Sequence, residues 1–239
     1  PDARSVVLRG WGNPFWRPGT EEDLAAPAGE FRVGDELEFS SPEHRHLVAF
    51  TGRITAVDDV EIEGFTLQRV SFSEDLPDFV APGIIVANAD EVGEFVMRDC
   101  TVRRNLGQGV RIKTREALVE NCLFEDNHGN GVWIFCDADY GRESISAQNV
   151  TIRGNKFRGA ASAVRSTVGR KPPMDPDVFE NIVIADNVIE NCGPTPLNLQ
   201  SIKGGAIRGN TIKDSSDDPF LLKGCSGLVI EDNRIFPKP

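Results

Sequence analysis

Ile184-Ala-Asp-Asn187-Val-Ile189, Ile207-Arg-Gly-Asn210-Thr-Ile212 and Ile230-Glu-Asp-Asn233-Arg-Ile235 are three copies of one phrase, set 23 residues apart. Each reads apolar, two mostly polar or small residues, Asn, a variable residue, apolar. Earlier copies start at Met97, Val119 and Ile152, which makes six in all, with Cys100 and Cys122 in the Asn slot of the first two. Successive copies begin 22, 33, 32, 23 and 23 residues apart, so a unit of 22–23 residues recurs and is twice lengthened by about ten. Self-similarity at this period marks a solenoid, in which a rung buries its apolar face only by stacking on the next. The expected fold class is all-β: a right-handed parallel β-helix of about six rungs over residues 90–239.

A second strand recurs at a fixed offset. Thirteen residues after the first apolar position stand Val110, Val132, Leu197 and Phe220, and the third rung slips by one to Val164. Period-two alternation places Val110 and Ile112 in the core and turns Arg111 and Lys113 outward. Asn at the fourth phrase position is expected at a turn, where stacked amides pass hydrogen bonds along a ladder and the residue adopts left-handed backbone angles. Cys100 and Cys122 share that slot and read as buried structural thiols.

Before Asp90 the phrase is absent. Phe31–Phe39, Val48–Val57, Val60–Phe65 and Leu67–Phe72 alternate in short runs broken by Gly, Pro, Asp and Ser, the pattern of a small antiparallel sheet or barrel over residues 30–89. Residues 1–29 read as a leading strand at Val6–Leu8 and an aromatic loop carrying Trp11, Phe15 and Trp16. Because Pro1 is not an initiator residue and a solenoid end needs a cap, this segment is read as the end of earlier rungs of a longer parent chain.

The net charge of −11 argues against a nucleic-acid partner, since phosphate binding needs a basic surface. No run approaches eighteen apolar residues, so no membrane-spanning helix is expected. Five cysteines and three histidines lack metal-ligand spacing, so neither a metal nor another cofactor is expected. An extracellular or periplasmic setting is the expectation for the chain.

Outward residues of the second recurring strand form two columns: Arg111, Trp133, Arg165, Asn198, Leu221 and Lys113, Phe135, Thr167, Gln200, Lys223. Aromatic rings beside Arg, Asn and Gln suit a sugar, whose C–H face stacks on a ring while its hydroxyls need planar hydrogen-bond partners. An ordinary solvated sheet carrying two incidental aromatics is the plainer alternative. Directly after Phe135 an insertion, Cys136-Asp137-Ala-Asp139-Tyr140-Gly-Arg142-Glu143-Ser144, brings three carboxylates to one lip. Two carboxylates held across a bond can act as general acid and base in glycoside hydrolysis. A solvated acidic loop or a calcium site is the alternative. A second insertion around Arg170-Lys171 is expected to wall the groove. Asp214, Asp217 and Asp218 read as turn caps, and Ser144 and Ser166 lack a positioned His.

The stretch Val96–Phe157 resembles glycoside hydrolase family 110. The resemblance lies in Gly109-Val-Arg-Ile-Lys-Thr114-Arg115, Val119-Glu-Asn-Cys-Leu-Phe124, Asp137-Ala-Asp-Tyr-Gly-Arg-Glu143-Ser144 and Asn149-Val-Thr-Ile-Arg-Gly-Asn155-Lys-Phe157. It extends over residues 30–235, with Gly34-Asp35, Asp75-Leu-Pro77 and Gly83 similar to the end of a β-barrel that interrupts the family's β-helix. The resemblance implies a metal-free, inverting, exo-acting α-1,3-galactosidase acting on terminal sugars, with Asp137, Tyr140, Glu143, Thr114 and Arg115 at pocket positions. Departures are Cys136 for Gly, Gly141-Arg142 for an aromatic pair, and Leu106-Gly-Gln-Gly109 for Arg-x-Arg-Gly. The site so assembled has Asp137, Asp139 and Glu143 as catalytic carboxylates. Arg111, Lys113, Thr114, Arg115, Trp133, Tyr140, Arg165, Asn198 and Gln200 are its sugar-binding side chains. Two other readings stand beside it: a non-catalytic carbohydrate-binding or structural β-helix, and a uronate lyase or epimerase in which Arg111, Lys113 and Arg165 neutralise a carboxylate and supply a base.

Overall fold

The computed structural model describes residues 3–8, 31–44, 46–62, 64–137, 146–169, 177–216 and 218–238. They fall into two compact units that part between Val92 and Gly93. Among the described residues no helix is long and apolar enough to cross a membrane.

The first unit is one antiparallel sheet of β1 (Ser5–Leu8), β2 (Glu36–Ser40), β3 (Val48–Ile62), β4 (Phe65–Phe72) and β5 (Val86–Asn88), in the order β1-β4-β3-β2-β5. The 15-residue β3 serves two partners, pairing β2 through Val48–Arg53 and β4 through Ile54–Ile62. Register shifts at Phe39/Ser40 and Ile54/Ala56 let one long strand change partner. Alternation then drives Leu37, Phe39, Ile54, Val70 and Phe72 into a shared core. The strand at Val6–Leu8, which the sequence set apart with the aromatic loop, joins this sheet instead. It runs antiparallel to β4, with Val6 opposite Val70, and so cannot be a rung of a parallel solenoid. The sheet is open among the described residues, with β1 and β5 as its outer strands.

The second unit is a parallel β-helix with three sheets. The first stacks Phe95–Arg98, Ala117–Glu120, Gln148–Arg153, Phe179–Ala185, Ile202–Arg208 and Val229–Glu231. The second stacks Thr101–Arg103, Leu123–Glu125, Lys156–Arg158, Val188–Glu190, Thr211–Ser215 and Arg234–Pro237. The third stacks Val110–Ile112, Asn130–Cys136, Ser162–Val168, Leu197–Gln200 and Phe220–Lys223. Val119, Ile152, Ile184 and Ile207 stand over one another in register and are fully buried, as are Phe124, Phe157, Ile189 and Ile212 one sheet further on. The Phe124 and Phe157 rings stack almost parallel, 5.0 Å between centroids.

Three sequence expectations are corrected here. The rung is not the phrase plus one further strand: the phrase folds at its middle, so its two apolar ends lie in different sheets and the first five rungs have three strands each. The left-handed residue is the third of the phrase, not the fourth. Asp99, Asn121, Gly154, Asp186, Gly209 and Asp232 all have φ between 52° and 65°, and all are Asp, Asn or Gly, the types that bear that conformation best. This frees the fourth residue to point its side chain along the stack. The third correction is Cys100, which is exposed while Cys122 is buried, because the first rung has a neighbour on one side only within the solenoid.

Candidate functional site

The outward columns of the third sheet form as the alternation requires. Arg111, Trp133, Arg165, Asn198 and Leu221 are register partners in turn, and Phe135 pairs with Thr167 and Gln200 with Lys223. Neighbouring side chains in such a column are separated by roughly 4.8 Å.

What they present is not what the column suggested. Phe135 is only 7% exposed, so it is no open stacking platform. Trp133 packs against it, 4.4 Å between ring centroids at 39°. The indole is anchored by Trp133 Nε1, which donates to Thr167 Oγ1 at 2.7 Å. Over this aromatic pair lies the Arg111 guanidinium, 4.5 Å from the Trp133 centroid and 5.3 Å from that of Phe135. Lys113 Nζ sits 5.0 Å from the Phe135 centroid. Arg111 is exposed, Trp133 half-buried and Phe135 buried. Burial, and after it the Arg111 guanidinium, hold the Lys113 ammonium below its ordinary value, while the Asp137 carboxylate acts in the opposite direction.

Asp137 follows directly on the strand that carries Trp133 and Phe135, and it is buried, 7% exposed. Arg165 is half-buried on the next rung, and both its Nε and Asn198 Oδ1 beside it are buried without a hydrogen-bond partner. Gln200 meets Ser166 through its backbone: its N–H donates to Ser166 Oγ at 2.6 Å, and that hydroxyl donates to the Gln200 carbonyl. Thr114 and Arg115 lie past the end of their strand. The Thr114 hydroxyl donates to the Gly93 carbonyl, which makes it a turn fastener, and Arg115 Nη2 reaches Ser146 Oγ at 3.4 Å. Asp139, Tyr140 and Glu143, and the second insertion around Arg170-Lys171, lie outside the described residues. Among the described residues no group of three His, Cys, Asp or Glu side chains gathers at metal-binding distance. Asp218 caps its turn as expected, accepting the Phe220 N–H at 3.2 Å. Thr167 was not singled out as a site residue, although its column position, one rung beyond Phe135 and diagonal to Trp133, was the available signal.

The profile of the right handed beta helix region family matches residues 82–169 and 139–236. The chain belongs to this right-handed β-helix family. It is also similar to curated proteins named alpha-1,3-galactosidase, as the motifs of Val96–Phe157 implied. The alpha-1,3-galactosidase B of Akkermansia muciniphila is 28% identical over 70% of this chain and 23% of its own length. The alpha-1,3-galactosidase A of Streptomyces avermitilis is 27% identical over 86% of this chain and 36% of its own length. The alpha-1,3-galactosidase B of Bacteroides fragilis is 24% identical over 84% of this chain and 38% of its own length. The chain thus spans well under half the length of these relatives.

Proposed function

We propose that this β-helix belongs to a glycoside hydrolase, exo-acting and inverting, that removes a terminal α-galactoside-like sugar from a glycan. The observation that carries the reading is the third-sheet column from Arg111 to Asn198, with the buried Asp137 at the end of its aromatic strand. The similarity to proteins named alpha-1,3-galactosidase supports it. In the reaction one carboxyl group among Asp137, Asp139 and Glu143 protonates the leaving oxygen as the C–O bond breaks. A second carboxylate takes a proton from the water that attacks the anomeric carbon from the opposite face. Room for that water sets the two carboxyl groups roughly 6.5–9.5 Å apart. Arg111 and Arg115 hold hydroxyls of the sugar.

The test is hydrolysis of 4-nitrophenyl α-galactoside and of a terminal α-1,3-linked galactoside, followed by proton NMR of the first sugar released. Inversion yields β-galactose first, and Asp137→Asn should abolish turnover while the folded protein keeps its secondary-structure spectrum. Release of the α-anomer first rejects inversion, and full turnover by Asp137→Asn rejects Asp137 as one of the two carboxyl groups. A second reading, a carbohydrate-binding module without turnover, is favoured by the half-buried Trp133 ring with the Arg111 guanidinium 4.5 Å from it, a ring-and-donor pair that binds a sugar without any carboxylate. Saccharide binding without hydrolysis, unchanged by Asp137→Asn, would establish it.

A further inference from the structure

We propose that the ligand seated on the third sheet carries an anionic group, a carboxylate or a sulfate ester, held between Arg111 and Arg165; this rests on the reading of that sheet as a glycan-binding face. On the second sheet Lys156, Arg158 and Lys213 converge on Glu190, at 3.5, 3.4 and 3.0 Å, so their charge is largely answered within the protein. On the third sheet Arg111 rests on the Trp133 and Phe135 rings instead. A ring quadrupole holds a cation in place but cancels none of its charge, so the guanidinium still presents a full positive charge and its donors to solvent. Arg111 is exposed and stands beside the half-buried indole, so a ligand on this face meets a guanidinium as well as a ring.

The neighbouring residues extend the same chemistry. Arg165 is the register partner of Trp133 on the other side, so two guanidinium-bearing positions flank the indole, roughly two rung spacings apart. Among the described residues neither is in an ion pair, although the chain carries 37 acidic residues against 26 basic ones. Lys223 adds a fourth basic position to the face, exposed, on the rung of Phe220. The buried Arg165 Nε is a donor with nothing to meet, and Asn198 Oδ1 beside it is unmatched too. A planar fork of guanidinium donors is matched best by the paired oxygens of a carboxylate or sulfate. A neutral sugar would leave those donors to single hydroxyl contacts.

The test is calorimetric titration of the full 239-residue chain with three matched ligands: an α-linked digalactoside, its sulfate ester and an α-linked digalacturonide. Inorganic sulfate is a fourth arm. The expected result is that at least one anionic saccharide binds about tenfold tighter than the neutral one, as charge-assisted hydrogen bonds require. High salt and Arg111→Met should each shrink that preference to about twofold, whereas Lys213→Met on the second sheet should leave it intact. Which anionic ligand binds tighter assigns the group as carboxylate or sulfate. Arg165→Met is the second variant, and near-ultraviolet dichroism shows that each variant is folded. Equal binding of neutral and anionic saccharides, or a preference that survives both arginine substitutions, overturns the inference and leaves the glycan reading standing. Binding of inorganic sulfate as tight as that of the sugar sulfate overturns it as well. No saccharide binding at all removes the glycan reading itself.

Discussion

The side-chain amide of Asn187 donates to Asn210 Oδ1 at 2.9 Å, and the backbone N–H of Asn187 donates to the same oxygen at 3.0 Å. The other amide hydrogen reaches the Ile152 carbonyl, and Asn187 Oδ1 accepts the equivalent pair from Asn155. The pattern repeats from Cys122, whose N–H donates to Asn155 Oδ1, through to Asn233, whose amide donates to the Ile207 carbonyl. Asn155, Asn187 and Asn210 are at most 1% exposed, so no water substitutes for these bonds.

Truncating an interior member therefore orphans buried donors on one neighbour and buried acceptors on others. Asn187→Ala should cost about 1–3 kcal/mol. Asn233→Ala, in the last rung and half-buried, should cost less. Urea denaturation of the two variants checks this, and equal, negligible losses would mean the ladder contributes nothing to stability.

Two adjacent glycines separate backbone strain from steric conflict. Gly204 and Gly205 have φ of 70° and 102°, but a Cβ on Gly204 meets nothing within 4 Å, whereas one on Gly205 would strike the Ile182 backbone. Gly204→Ala should cost about 1–2 kcal/mol for the left-handed conformation alone. Gly205→Ala should cost distinctly more, about 3 kcal/mol or beyond, because a backbone cannot step aside as a side chain can. Thermal melts of the pair rank the effects, and equal losses would contradict the close approach of the two rungs.

Trp133 owes its orientation to Thr167. Thr167→Val removes the acceptor while keeping the shape, so it should cost about 1 kcal/mol and loosen the indole. Emission from Trp133 in a Trp11→Phe, Trp16→Phe background reads this directly. An unshifted spectrum and unchanged stability would show that packing on Phe135 suffices.

Lys113 should lose its proton at a lower pH than an ordinary lysine, because burial and the Arg111 guanidinium both penalise its charged form. The sign follows from linkage: the unfolded chain holds this proton more tightly, so the penalty is present at neutral pH and is relieved as pH rises toward 10.5. Carbon NMR of reductively methylated protein should show one lysine resonance titrating early, and Arg111→Met should move it back upward. A resonance that ignores the substitution would place the whole effect in burial.

The sequence by itself determined the rung, its number, and which side chains face outward. Both periods are local: two residues along a strand, and 22–23 from rung to rung, so Arg111, Trp133, Arg165 and Asn198 could be stacked in one column from spacing alone. The Asn ladder was legible for the same reason. Tertiary structure alone decided that the left-handed residue of the phrase is the third, not the fourth, because the Asp, Asn or Gly at the third position and the Asn at the fourth are all compatible with that conformation. It also decided that β1 belongs to the antiparallel sheet, a pairing between Val6 and Val70 that no repeat announces. And it set the Arg111 guanidinium 4.5 Å from the Trp133 ring and buried Phe135, so that the expected pair of exposed rings is one half-buried ring beside a cation. Alternation tells which side of a sheet a side chain leaves from; where its far end comes to rest depends on the rungs above and below it.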